Sequence, residues 1–142
     1  MRYLFLGIAC AAATLFFALG VGGSLKASVT AGCLSSIGYV IYLLMKLECS
    51  ESASVFVATL VVCLLAETLA RILKTPSTVL SIPAILPLVP GLMLYRTMLD
   101  FGKGDTLRGM SSAVETLIVA GTMSLAVTLA TIIAKLLFRH KK

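Results

Sequence analysis

The chain has 142 residues, of which 59% are hydrophobic and only 13% are charged, whereas globular domains carry about 25% charged residues. This composition leaves almost nothing for a soluble domain, so we predict a single all-α transmembrane domain over residues 1–142, embedded in the lipid bilayer. The net charge of +6 is not arranged as a basic stripe with interleaved aromatic residues, so we predict no nucleic-acid partner. Lys and Arg instead lie at the ends of apolar stretches, where they set membrane topology.

Five apolar stretches approach the roughly 20 residues that a membrane span needs. The run that follows Arg2 exceeds the about 7–15 apolar residues typical of a signal peptide, so we interpret it as the first span. The predicted spans are residues 3–22, 28–45, 53–69, 78–95 and 113–138.

Two of these spans show a face of small residues, which lets helix backbones approach closely and lets hydroxyl groups bond across the contact. In the first span the face consists of Gly7, Ala11, Thr14, Ala18 and Gly22. In the fifth it consists of Ser112, Thr116, Ala120, Ser124 and Thr128. Helix packing is the simpler interpretation of both, and the alternative for the fifth span is that its hydroxyl groups line a polar pathway.

The fourth stretch contains three of the four prolines, Pro83, Pro87 and Pro90, and Pro76 precedes it. Proline removes a helical hydrogen bond, and broken helix is tolerated in a membrane only where protein or a water-lined cavity surrounds it. We therefore predict a broken or re-entrant helix over residues 78–95.

In detail, we predict a first half-helix capped by Ser77 or Thr78, a break over residues 87–91 and a second half-helix over 92–99. The free amides of the second half-helix would favour an anion such as a carboxylate. A kinked hairpin that binds nothing is the alternative.

Two acidic residues are candidates for function. Glu67 lies near the end of the third span with Arg71 one turn further along, so the two can pair on one helix face. A carboxylate at membrane depth is expensive and often functional, but an interfacial ion pair that anchors the helix end explains it equally well. Glu115 opens the predicted fifth span, where an acid in the first turn favours the helix dipole.

The distribution of Lys and Arg bears on orientation. With five crossings, one side holds Arg2, Lys46, Arg96, Lys103 and Arg108, and the other holds Lys26, Arg71, Lys74, Lys135, Arg139, Lys141 and Lys142. The second side is richer, so we predict the N-terminus outside and the C-terminus inside. A re-entrant fourth stretch gives equal numbers on the two sides and leaves the orientation open.

No enzymatic constellation is recognisable. The single histidine is His140, and the sequence has neither a nucleophile–base set, nor metal-ligand spacing, nor a nucleotide-binding fingerprint. We predict no enzyme, no cofactor and no metal.

Residues 66–78, 82–91 and 95–98, and above all the run Pro87-Leu88-Val89-Pro90-Gly91, resemble the threonine/serine exporter family, specifically the short, separately encoded membrane half that matches the C-terminal half of single-chain members. The resemblance implies a subunit of a secondary exporter in the cytoplasmic membrane, working with a larger membrane subunit. It implies a small carboxylate-bearing substrate, either threonine or serine or a dicarboxylate such as succinate.

Together with the residue patterns above, the resemblance gives a predicted transport pathway. Its residues are Glu67, Arg71, Thr78, Pro83, Pro87, Pro90, Gly91, Tyr95 and Glu115. Two other functions stay open: a self-sufficient small exporter that works as an oligomer, and a subunit that only assembles a partner and transports nothing.

Overall fold

A computed structural model describes residues 2–139, with side chains described for residues 5–137. Over this range the chain is helical and has no strands, which confirms the prediction of an all-α membrane protein. The elements are α1 (Arg2–Gly20), α2 (Leu25–Met45), α3 (Glu51–Leu73), α4 (Ser77–Ile85), a 3-10 turn (Leu86–Leu88), α5 (Gly91–Gly102) and α6 (Thr106–Arg139).

Three of these helices, α2, α3 and α6, are long and apolar enough to cross a membrane. The pair Ser77–Leu88 and Gly91–Gly102 qualifies as a fourth span if it is counted as one. The apolar segment Phe5–Gly20 of α1 is shorter than a full span. All five predicted stretches therefore become helical, but only three do so as unbroken helices of full membrane length.

The break in the fourth stretch lies where the prolines predict it. α4 ends at Ile85, the 3-10 turn carries Pro87, and Pro90 immediately precedes α5. The two halves meet at a bend of 49°, which changes the direction of the chain without reversing it. The prediction of a discontinuous helix is confirmed, and the bend favours a broken span over a re-entrant hairpin.

The predicted cap of this stretch is wrong. Pro76 occupies the N-cap position of α4, and no side chain caps the helix. The carbonyl of Pro76 accepts a hydrogen bond from Val79 N at 3.1 Å. Since proline holds φ near −65°, and φ of Pro76 is −58°, the ring itself fixes the entry into the helix and the Ser77 and Thr78 hydroxyl groups are not needed.

The small-residue face of α1 packs against α2. Thr14 Oγ1 donates to Ser35 Oγ at 2.8 Å, and both residues are buried. A Cβ atom added to Gly32 would lie 2.9 Å from the carbonyl oxygen of Ala11. The two backbones are therefore in near contact, as small residues at this spacing predict.

Two apolar clusters hold the remaining helices together. One joins α2, α3 and α4 and centres on Leu34, Val62 and Leu80. The other joins α3, the 3-10 turn and α6 and includes Leu88 and Met123. Because the 3-10 turn belongs to the second cluster, the break is held in place by packing on one side.

α6 begins at Thr106, seven residues before the predicted fifth span. Asp105 caps it, accepting a hydrogen bond from Arg108 N at 3.2 Å, and the ring of Phe101 from α5 packs close to Gly109. A helix of 34 residues is about 51 Å long, against a hydrocarbon core of about 30 Å. α6 is therefore longer than the hydrocarbon core is thick.

The early start of α6 and its observed packing each correct one prediction. Glu115 lies in the third turn of α6 rather than the first, so the helix dipole does not explain it. The predicted packing face of the fifth span is also only partly packed: Thr116 is buried, whereas Ala120, Ser124 and Thr128 are exposed. The buried face of α6 is instead formed by Val119, Met123, Ala126, Ala130 and Ala134.

Candidate functional site

A cavity of about 500 Å³ lies beside the break, and this volume is in the range of small-molecule sites. Its walls come from the end of α2, the start of α3, the break, the first turns of α5, and α6. The charged residues that line it are Lys46, Glu51, Arg96 and Glu115. It is more polar than the two other cavities discussed below, which are mainly apolar.

The turn between α2 and α3 positions two of these charges. α2 ends at Met45, Lys46 forms its C-cap, and Ser50 caps α3 by accepting from Ala53 N at 3.4 Å. The chain therefore reverses within a few residues, and residues on either side of the turn face each other. This brings Lys46 and Glu51 together.

Lys46, Glu51 and Tyr42 form a closed triad. Lys46 Nζ lies 2.9 Å from Glu51 Oε2 and donates to Tyr42 Oη at 2.9 Å, while Tyr42 Oη donates to Glu51 Oε1 at 2.6 Å. Hydrogen bonding to Glu51 and then to Tyr42 raises the pKa of Lys46 above its usual value. The lysine therefore stays cationic at physiological pH, and its charge is balanced by Glu51.

Arg96 and Glu115 differ from the triad. Arg96 acts electrostatically on Glu51, but neither Arg96 nor Glu115 forms a hydrogen bond or an ion pair with another residue of the described part of the chain. Arg96 comes from α5 and Glu115 from α6, and both line the cavity. The cavity thus contains one cation, Arg96, and one anion, Glu115, that form no hydrogen bond or ion pair with the described residues.

The broken segment supplies the wall opposite the triad. Pro87 and Pro90 line it, and neither has a backbone N–H to offer. The first α-helical hydrogen bond of α5 runs from Leu94 N to Pro90 O at 3.1 Å. The first turn of α5, which carries Leu92 and Met93, therefore lies in the cavity wall with its positive dipole end toward the break.

Other predicted pathway residues lie elsewhere. Glu67, half-buried, and Arg71, exposed, are on α3, with Glu67 sixteen residues after Glu51 and hence about 24 Å along the helix. Thr78 and Pro83 line a separate, mainly apolar cavity of about 330 Å³ on the α1 side. Tyr95 is 62% exposed on α5.

A third recess, of about 540 Å³, lies on the other side of the break, between it and α6. Pro90 lines this groove as well as the charged cavity, and Gly91 lines the groove only. The exposed Ala120, Ser124 and Thr128 of α6 face it. Of the predicted pathway residues, the charged cavity therefore brings together Pro87, Pro90 and Glu115.

Sequence reasoning missed four residues of this cavity: Tyr42, Lys46, Glu51 and Arg96. A signal for three of them was present. Tyr42 and Lys46 are four residues apart at the end of α2, so they share a face. Lys46 and Glu51 flank the short turn between two helices, where opposite charges are expected to lie close together. Arg96 counted as a topology charge and as part of the run that resembles the family, but not as a site residue, although it follows the break within two turns.

Among the described residues, no three His, Cys, Asp or Glu side chains come together as a metal site requires. The fold and cavity define a class: a multi-pass all-α membrane protein with a broken helix beside a charged cavity, the architecture of many secondary transporters.

Comparison with known proteins then gives the family. A family model described as "Threonine/Serine exporter, ThrE" matches residues 6–133, and the chain belongs to this family. The chain has no match among curated proteins or among solved structures. Family membership confirms the resemblance carried by the proline-rich run and gives the chain a transporter role.

Proposed function

We propose that this chain is the membrane subunit of a secondary exporter in the cytoplasmic membrane, that it works with a larger membrane subunit, and that its substrate is a small carboxylate-bearing metabolite. Threonine, serine and a dicarboxylate such as succinate are the candidates. The observation that carries the proposal is the charged cavity of about 500 Å³ beside the broken helix.

The chemistry of the cavity suits a carboxylate. Arg96 provides a guanidinium that forms no hydrogen bond or ion pair with the described residues, and guanidinium binds carboxylates in a bidentate geometry. The N-terminal turn of α5 adds a positive dipole end to the same wall. Pro87 and Pro90 separate this turn from α4, so the amide groups of the turn are not used in the hydrogen bonds of a continuous helix.

The absence of an internal repeat in these residues supports a partner. Alternating access usually requires two repeats or bundles that move against each other around a central site. The sequence shows no internal repeat, and the described structure has three full-length spans and one broken one. We propose that a second chain supplies the other bundle, and the groove beside the break offers it access to Pro90 and Gly91.

The remaining predicted residues form a second candidate region of the pathway. Glu67, Arg71, Thr78 and Pro83 lie toward the α3–α4 end of the fold, remote from the charged cavity. If a substrate crosses the membrane along α4 and α5, it passes from one region to the other. Glu67→Gln with unchanged efflux and an unchanged dependence on pH would limit Glu67 to anchoring the helix.

Efflux from proteoliposomes tests the proposal. Vesicles loaded with radiolabelled threonine, serine or succinate are prepared with this chain, with the larger subunit, or with both, and a proton gradient or a membrane potential is imposed. We expect gradient-driven efflux only when both subunits are present. Robust efflux with this chain alone identifies a self-sufficient exporter, and full efflux with the larger subunit alone identifies an assembly subunit.

A further inference from the structure

The charges in the cavity are not equivalent, because two of them already neutralise each other. Lys46 and Glu51 lie 2.9 Å apart, and Tyr42 bonds to both. A ligand that takes either charge must first break this triad. The charges open to a ligand are therefore Arg96 on α5 and Glu115 on α6.

Those two residues have opposite signs and come from different walls. A substrate with one carboxylate and one ammonium group can place the carboxylate on Arg96 and the ammonium group on Glu115. A dicarboxylate can satisfy Arg96 with one end, but its other end then faces the carboxylate of Glu115. Juxtaposed like charges of this kind are strongly unfavourable and are a common device for rejecting the wrong partner.

We propose that Glu115 is the residue that determines specificity in this cavity: Arg96 binds the substrate carboxylate, and Glu115 selects a positively charged group at the other end and rejects a second carboxylate. The inference rests on the proposed export function and decides between the two substrate classes that it leaves open. It assigns Glu115 a role different from the helix-dipole role that its sequence position suggests.

The test uses the complex of this chain with its larger subunit in proteoliposomes and compares threonine with succinate. We expect wild type to prefer threonine. Glu115→Gln should lower threonine efflux and raise succinate efflux, so that the ratio of the two changes at least about tenfold, whereas Glu115→Asp should keep the preference. Arg96→Gln should reduce efflux of both, since both substrates carry the carboxylate that it binds.

The matched control is Glu48→Gln, which removes an exposed acid from the α2–α3 turn outside the cavity and should leave the ratio unchanged. A preference of wild type for succinate overturns the inference. So does a Glu115→Gln variant that loses both substrates by the same factor, because that is the effect of a structural role. No efflux of any substrate by wild type instead contradicts the proposed function itself.

A competition measurement on wild type keeps the inference testable if Glu115→Gln does not fold. Unlabelled threonine, lactate and succinate are added as competitors of labelled threonine. Threonine supplies both charges, lactate only the carboxylate, and succinate a carboxylate where Glu115 lies. We expect competition in that order, and succinate competing better than lactate would overturn the assignment.

Discussion

At the scale of single residues, the Tyr42 hydroxyl is the central member of the triad. It donates to Glu51 and accepts from Lys46, so Tyr42→Phe leaves both charges with one partner fewer. We expect a loss of about 1 kcal/mol in stability, the usual net value of a hydrogen bond, seen as a lower thermal midpoint of the detergent-solubilised protein.

Tyr39→Phe is the control for this experiment. Tyr39 lines the same cavity and stacks beside Tyr42 with ring centroids 5.8 Å apart, but its hydroxyl makes no hydrogen bond with another described residue. Phenylalanine keeps the ring contact in both variants, so only the hydroxyl differs. Equal midpoints for the two variants would contradict a stabilising role of the triad.

Glycine at a helix contact gives a second prediction at this scale. In Gly32→Ala the new Cβ lies 2.9 Å from the backbone oxygen of Ala11, and a backbone atom cannot rotate away. We expect about 1–3 kcal/mol of destabilisation from overpacking, and a lower thermal midpoint. Gly121→Ala in α6 meets nothing within 4 Å and should be neutral or slightly stabilising; the opposite ranking would disprove the close α1–α2 contact.

At the scale of elements, the break between α4 and α5 is predictable from sequence because proline acts locally. Pro87 and Pro90 each lack the donor that a continuous helix needs, whatever surrounds them. The start of α6 was not predictable from hydropathy, because the segment near Gly109 and Ser112 is polar enough to read as a loop, and it is helical through the Asp105 cap and the Phe101 contact.

The charged cavity as a whole was not predictable from the sequence either. Its residues come from α2, α3, the 3-10 turn, α5 and α6, and packing such as that of Leu88 with Val119 and Val55 brings those elements together. A sequence pattern indicates which residues are neighbours along one helix. It therefore identified Pro87, Pro90 and Glu115 as separate candidates and could not predict that they line one cavity with Lys46 and Arg96.

Replacing the prolines tests whether the break is needed. Alanine at both Pro87 and Pro90 restores two backbone donors and favours continuous helix, whereas glycine at both restores the donors but costs about 1 kcal/mol per residue in a helix. We expect the alanine pair to lower export more than the glycine pair, at equal amounts of assembled complex. If both pairs export alike, helix discontinuity is not what the prolines provide.

At the scale of the whole molecule, a bend of 49° that does not reverse the chain favours a fourth stretch that crosses the membrane as a broken span. With α1 crossing and the N-terminus outside, as predicted from the sequence, the α2–α3 turn lies on the outer side. Cys49 is exposed in that turn. In a variant whose other cysteines are replaced by alanine, we expect Cys49 to react with a membrane-impermeant maleimide added to intact cells. Lys26→Cys, made with Cys49 also replaced, should react only after the cells are opened.

The labelling result also tests the orientation of the chain and the crossing of α2. Protection of Cys49 together with reaction of Lys26→Cys in intact cells would reverse the orientation that the distribution of Lys and Arg predicts. Reaction of both from outside would contradict the crossing of α2.

The division of the fourth span into two short helices has a consequence for biogenesis. The segments Ser77–Leu88 and Gly91–Gly102 contain twelve residues each and are therefore about 18 Å long, against a hydrocarbon core of about 30 Å. Neither half can be recognised as a span during synthesis by its own length. We therefore expect their insertion to depend on packing against helices already in the bilayer, as Leu80 packs against α2 and α3.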